Sequence, residues 1–284
     1  MLSLLISDNI YNKLLKYMVK EVGIMLEMEY PILEFDPVSE NVIEPSKVIR
    51  KADIPEKVVM CFYSEVIERL CKEGKLKEIE CLHSQMGRNP IYELQYKGER
   101  VAVYQPGVGA PLGASFMEEV IALGGTTFIS CGSGGVLNKD IAAGHIIVPD
   151  CAVRDEGTSY HYVKPSREIE VNRTAVEGIK KVLESHKCSY ITGKTWSTDS
   201  FYRETREKTK LRKNEGCISV EMECAAFAAV AQYRNVVFGQ MIYGGDDVSC
   251  DDWNRRLEFD RTDIREALFW FSVEACLSLG HINN

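Results

Sequence analysis

No two of the ten cysteines stand in a C-x-x-C pair, and no run approaches the ~18 apolar residues of a membrane span. The cysteines are scattered from Cys61 to Cys276, most in apolar surroundings, as Cys224 is before Ala225-Ala226-Phe227. A structural zinc site needs closely spaced Cys/His pairs, so that class is excluded. Ten unpaired thiols in a chain of 284 residues read as the reduced cysteines of a cytoplasmic protein. Positive charge is scarce as well: 34 basic against 42 acidic side chains leave a net charge of −8, with no basic block. Such a chain is expected to bind neither nucleic acid nor an anionic membrane. What is present is ordinary for a globular protein, 45% hydrophobic and 27% charged residues, enough for a substantial core.

The opening stretch is amphipathic, with Leu4, Leu5, Leu14, Leu15, Met18 and Val22 among charges. It lacks the basic start and uninterrupted apolar centre of a signal peptide. Residues 1–30 are therefore expected to be an extension, either a packed helix or a stretch ahead of a native start at Met25 or Met28. Residues 31–284 are expected to form one domain. Val42-Ile43 suits an edge strand, and Val58, Val59, Phe62, Val66, Ile67 and Leu70 share one helical face that Gly74 would end. Residues 91–96 and 101–104 read as a hairpin, and 116–123 as a helix ending at Gly124-Gly125. Strands are predicted at 126–130, 146–149, 190–195 and 236–243, and helices at 171–185, 219–231 and 263–279. Strands alternating with helices predict an α/β fold in which helices flank a central, mixed, twisted sheet.

Three clusters fall at predicted strand ends, where ligands gather in such folds. In Ser130-Cys-Gly-Ser-Gly-Gly135, with the earlier Gly107-Val-Gly109, successive glycines let backbone N–H groups turn toward an anion or a ribose. No Gly-Lys-Ser/Thr follows the cluster, so it is not a Walker loop, and a tight turn explains it equally. Val220-Glu-Met-Glu223 opens an Ala-rich helix. Acidic residues suit a first helical turn, yet that accounts for one glutamate better than for two pointing opposite ways. A buried carboxylate facing a pocket needs donors, and a sugar diol supplies two hydroxyls. In Gly244-Gly-Asp-Asp-Val248, neighbouring carboxylates are general-acid candidates, or a solvated acidic turn continued by Asp251 and Asp252.

SCGSGGVLNKDIAAGHIIVPDCAVRDEGTSYHY, STDSFYRET, SVEMECAAFAAVA and IYGGDDVS, taken in this order, resemble the nucleoside phosphorylases of the hexameric type. Uridine phosphorylases, bacterial purine nucleoside phosphorylases and methylthioadenosine/S-adenosylhomocysteine nucleosidases belong to that family. The likeness runs from about residue 101 to 279, loosely from 31, and the first 30 residues match nothing in it. It implies an enzyme that cleaves the N-glycosidic bond through an oxocarbenium-like transition state. Glu223 would hold the ribose hydroxyls, its charge stabilising the developing cation, with Met222 packed on the sugar. Phe201 would stack on the base, and Tyr202 would offer it main-chain hydrogen bonds. Asp246 would protonate N7 of a purine, for which it must itself be protonated. Gly132 and Ser133 would flank the nucleophile.

The likeness also implies no cofactor beyond inorganic phosphate as co-substrate, no metal, and a homo-oligomer, either a dimer or a hexamer. No histidine precedes His83 to complete a neighbour's 5′-hydroxyl site. Phe201-Tyr-Arg-Glu-Thr-Arg206 lacks the Gln-x-Arg pair with which uracil enzymes of the family read the base, and leans toward purines. Arginines that phosphorylases carry at the position of Ser130, and in a Gly-Asp-Pro loop near the N-terminus, are absent. The early strand is expected to end instead in Ile43-Glu-Pro-Ser46, with Glu44 the counterpart of a nucleosidase's water-activating glutamate. The Arg154-to-His161 stretch matches the phosphorylase branch, and Arg50, Arg88 or a partner's arginine would rebuild the anion site. Phosphorolysis of a purine nucleoside is the expected reaction. The alternatives are a hydrolytic purine nucleosidase, then a uridine phosphorylase, then a non-catalytic nucleoside binder.

Overall fold

Where the spacing from Val58 to Leu70 predicts one helix, two elements form. The computed structural model describes residues 27–37, 41–250 and 252–280, so residues 1–26 of the expected extension lie outside it. Lys57–Cys61 is a strand, β1, buried along its whole length, and Ser64–Lys72 is the helix α1. A parallel strand covered on both faces is a continuous apolar run, without the alternation that separates strand from helix. Gly74, at φ +70°, ends the helix as expected. Val42-Ile43 forms no strand: both side chains are exposed, and a short helical turn, Pro45–Val48, follows.

β2 (Leu76–Ser84), which the sequence pattern does not predict, pairs with β3 (Gly87–Tyr96), and β3 with β4 (Glu99–Tyr104). The β3–β4 hairpin turns at Lys97-Gly98, both at positive φ, the geometry that matches strand twist. Then come α2 (Ala110–Leu123), β5 (Thr127–Val136), β6 (Ile146–Asp155), β7 (Glu168–Glu170), α3 (Arg173–Ser185) and β8 (Tyr190–Thr198). After α4 (Arg206–Asn214), the chain forms β9 (Cys217–Glu221), α5 (Cys224–Arg234), β10 (Val237–Asp247) and α6 (Thr262–Ser278). Val220-Glu221 thus ends a strand rather than opening a helix, again because a short buried strand runs straight into an apolar helix.

The ten strands form one mixed sheet in the order β10-β6-β8-β9-β5-β1-β4-β3-β2. β10 also pairs with β5, so β5, β9, β8, β6 and β10 close into a ring, and β7 attaches to β6. α2 packs on α5, while α3 and α6 pack together over the β5–β10 side. The α/β fold with helices flanking a central mixed sheet is therefore as expected.

The glycine cluster is the second half of β5. Its first half runs between β1 and β10; beyond Cys131 it leaves β1 and crosses to β9, pairing Gly135 with Val220. A Cβ on Gly134 would lie 2.6 Å from the Val220 carbonyl oxygen. Backbone cannot yield as a flexible side chain does, so Gly134→Ala is expected to destabilise the fold by about 1–3 kcal/mol. That appears as a fall in Tm of several degrees; an unchanged Tm would show that the crossing tolerates a methyl group.

Candidate active site

The two glutamates flanking Met222 do different work because one lies on a strand and the other in the turn after it. Glu221 ends β9, where its carboxylate accepts from the Glu223 and Cys224 N–H groups at 2.8 and 2.7 Å and from the Ser197 hydroxyl. Ser197 in turn accepts from the Ala225 N–H. Glu221 therefore caps α5 from inside the core, satisfying N–H groups that a buried helix start leaves unpaired. Glu223, without that capping role, faces a cavity that Glu221 also borders. Glu223 is 6% exposed, and its carboxylate accepts from the Gly109 N–H at 2.6 Å. Gly109 sits at φ +94°, a conformation open to glycine, and this aims its N–H at the carboxylate. Burial, and then the charge of Glu221, push the Glu223 carboxyl up to about 8; burial also raises that of Glu221.

The cavity, of about 250 Å³, brings Glu223 and Met222 together with Gly132 and Ser133. Phe62 and Tyr63 roof it: a Cβ on Gly132 would lie 3.2 Å from the Phe62 ring, and the Tyr63 hydroxyl donates to the Gly132 carbonyl. Gln240 lines it too, fully buried, with its Oε1 unpartnered among the described residues. A lone glutamine in the apolar run of β10 is the signal in the sequence that marks it, and motif spacing does not single it out.

Asp246, Phe201 and Tyr202 do not line that cavity. Gly245 is a bulge in β10, with Gly244 opposite Gly134 and Asp246 opposite Gly135, so Asp246 is re-aimed at the end of the strand beside Gly135. Its carboxylate accepts from Trp253 Nε1. Glu204, two residues after Tyr202, is its neighbour: burial, and then the Asp246 charge, push the Glu204 carboxyl up to about 7. Phe201 and Tyr202 are 48% and 83% exposed, with their rings against each other at 4.0 Å. Asp199, just before them, accepts from the Gly157 N–H and acts electrostatically on Glu223, which ties this segment to the Glu223 side.

The expected anion-site residues lie elsewhere. Ser130 is buried with its hydroxyl unpartnered among the described residues. The early strand is β1, so the loop after it is Phe62-Tyr63 and not Ile43-Glu-Pro-Ser46. Glu44 pairs with Arg234 at 2.8 Å and does not line the cavity. Arg50 is exposed, and Arg88 pairs with Glu78 on the β2–β3 hairpin. Arg154 is buried and bound to Ser159, Ser166 and the Lys164 carbonyl, which orders the loop after β6. The cation at the cavity is instead Arg265 of α6, which no local pattern in the sequence marks. Among the described residues no three Asp, Glu, His or Cys side chains gather as a metal site, and no helix is long and apolar enough to cross a membrane.

Comparison with known proteins gives this geometry a context. The sequence model of the phosphorylase superfamily matches residues 56–267. A uridine phosphorylase of Thermococcus kodakarensis is 38% identical over 108 residues, covering 38% of this chain but only 39% of that enzyme's own length. A guanosine phosphorylase of Halorubrum lacusprofundi is 25% identical over 199 residues, 69% of this chain and 80% of that one. Among solved structures, a uridine phosphorylase from Vibrio fischeri shares the fold with a TM-score of 0.67 at 23% identity, over 81% of this chain and 94% of that one.

Proposed function

The chain belongs to the phosphorylase superfamily, and on that premise we propose that it cleaves purine nucleosides by phosphorolysis, yielding free base and ribose 1-phosphate. The observation that carries this reading is the buried Glu223 carboxyl, facing a cavity that Gly132-Ser133 also line. A nucleoside bound there donates its 2′- and 3′-hydroxyls to Glu223, which gives up its proton to solvent on binding and lies under the oxocarbenium charge as it develops. Met222 packs on the sugar, and Ser133 holds the nucleophile on the side opposite the base. One oxygen of hydrogen phosphate forms the bond to C1′. The C1′–N9 electron pair leaves with the purine, N7 takes a proton from the Asp246–Glu204 pair, and the proton lost by the phosphate restores that pair.

Two observations support purines and phosphate. Glu204, raised to about 7, keeps a proton beside Asp246 at neutral pH, which a purine N7 uses and a uracil leaving group does not. Glu44, the candidate water-activating base, is tied to Arg234, which also pairs with Glu118, and it does not line the cavity. The unpartnered hydroxyl of Ser130, where phosphorylases carry an arginine, favours hydrolysis as the second reading.

Chromatography of the products from inosine, guanosine, adenosine, methylthioadenosine and uridine, each with and without phosphate, tests the proposal. Purine release that requires phosphate and yields ribose 1-phosphate is expected. Free ribose formed regardless of phosphate would establish the nucleosidase instead, and faster cleavage of uridine would overturn the purine assignment.

A further inference from the structure

Phosphorolysis through Glu223 and Asp246 leaves unused the one cation among the described residues of the cavity, Arg265. α6 carries it onto the roof. Its guanidinium lies 5.3 Å from the Tyr63 ring and 6.0 Å from the Tyr243 ring, and Nε donates to the Tyr243 hydroxyl at 3.0 Å. Nη1 reaches Glu65 on α1. Tyr63 belongs to the loop after β1 and bonds the Gly132 carbonyl, so the guanidinium is fixed beside Gly132-Ser133. One position where the resemblance implies a phosphate arginine, Ser130, lies two residues before Gly132 at this corner, and the loop after β1, Phe62-Tyr63, lines it without a cation.

We propose that Arg265 binds the oxyanion nucleophile, inorganic phosphate, at the Gly132-Ser133 corner, supplying from the C-terminal helix the charge absent at Ser130 and Phe62-Tyr63. The inference rests on the phosphorolytic reading. Its pair with Glu65 does not stand in the way: the Glu65 side chain is half exposed, so solvent screens the pair, and a phosphate dianion competes for the same guanidinium. The unpartnered Gln240 Oε1 in the same cavity is an acceptor suited to the single O–H of hydrogen phosphate. The Tyr63 and Tyr243 rings and the Tyr243 hydroxyl hold the guanidinium, so its fork is oriented before the anion arrives.

The test titrates inorganic phosphate against the full chain in steady-state turnover and in thermal unfolding. R265Q is expected to raise the KM for phosphate about 10- to 100-fold, the loss of a charge-assisted contact. The KM for nucleoside should move less than about threefold. R265K should fall between, keeping charge but losing the fork. E65Q should move the opposite way, lowering the phosphate KM about two- to fivefold by removing a competitor. An R265Q protein that is still stabilised by nucleoside, with unchanged phosphate KM and unchanged stabilisation by phosphate, overturns the inference and leaves phosphorolysis standing. Should wild type prove hydrolytic, the phosphorolytic reading fails, and thermal unfolding decides separately. Phosphate that stabilises wild type but not R265Q upholds the anion site, and phosphate that stabilises neither overturns it. If R265Q does not fold, E65Q decides, and unchanged or weaker phosphate binding there overturns the inference.

Discussion

Glu223→Gln is expected to lower kcat/KM for every nucleoside substrate by about a thousandfold, because it removes the charge beneath the developing ribosyl cation. The same variant is expected to be more stable than wild type, which separates this loss from unfolding. Burial and Glu221 raise the Glu223 carboxyl to about 8, against an ordinary value of 4.5. The unfolded chain gives up that proton first, so the folded state loses stability as pH rises from about 4.5 to 8. A neutral amide avoids the penalty, and at pH 8 Tm should rise by about 2–4 °C, the equivalent of roughly 1 kcal/mol. Differential scanning calorimetry at pH 5 and pH 8, beside kinetics, checks both halves. A variant that is inactive and less stable at pH 8 would mean that Glu223 holds the turn together instead of holding substrate.

Asp246→Asn is expected to lower phosphorolysis of inosine about 10²–10⁴-fold, the usual weight of a positioned acid. It should leave 7-methylguanosine almost untouched, since that base already carries its positive charge at N7 and leaves without a proton. Equal losses on both substrates would remove Asp246 from acid catalysis. The pH profile carries the same argument. Reaction through protonated Glu204 falls as pH rises above about 7, and reaction through ionised Glu223 rises toward about 8. Wild type should therefore show a narrow bell between these values. Glu204→Gln should lose the falling limb and keep the rise, and a variant that keeps both limbs would exclude Glu204 from the proton supply.

Residues with roles set by local geometry are legible in the linear sequence. Gly74 and Gly124 end helices and Lys97-Gly98 turns a hairpin, because short-range φ/ψ preferences decide those positions. β1 and β9 are not legible there, since a strand buried on both faces and followed by a helix has neither alternation nor a boundary. The glycines of the 132–135 stretch stand out as a motif, but a tight turn is an equal reading of them. Only the crossing of β5 to β9 shows why Gly134 cannot carry a side chain. The two glutamates of Val-Glu-Met-Glu likewise stand out as an excess of buried charge.

By itself, then, the sequence determined the α/β class and most element positions, and it marked Gly132, Ser133, Met222, Glu223 and Asp246 as candidates at strand ends. Those follow from composition, local conformation and motif order along the chain. The tertiary structure alone decided that Glu221 caps a helix at the cavity that Glu223 faces, that Glu204 neighbours Asp246, and that Glu44 is spent on Arg234. It alone brought Arg265 to a loop some two hundred residues earlier in the chain. Such pairings depend on how helices seat against a closed ring of strands, and contacts of that sequence separation leave no periodicity behind.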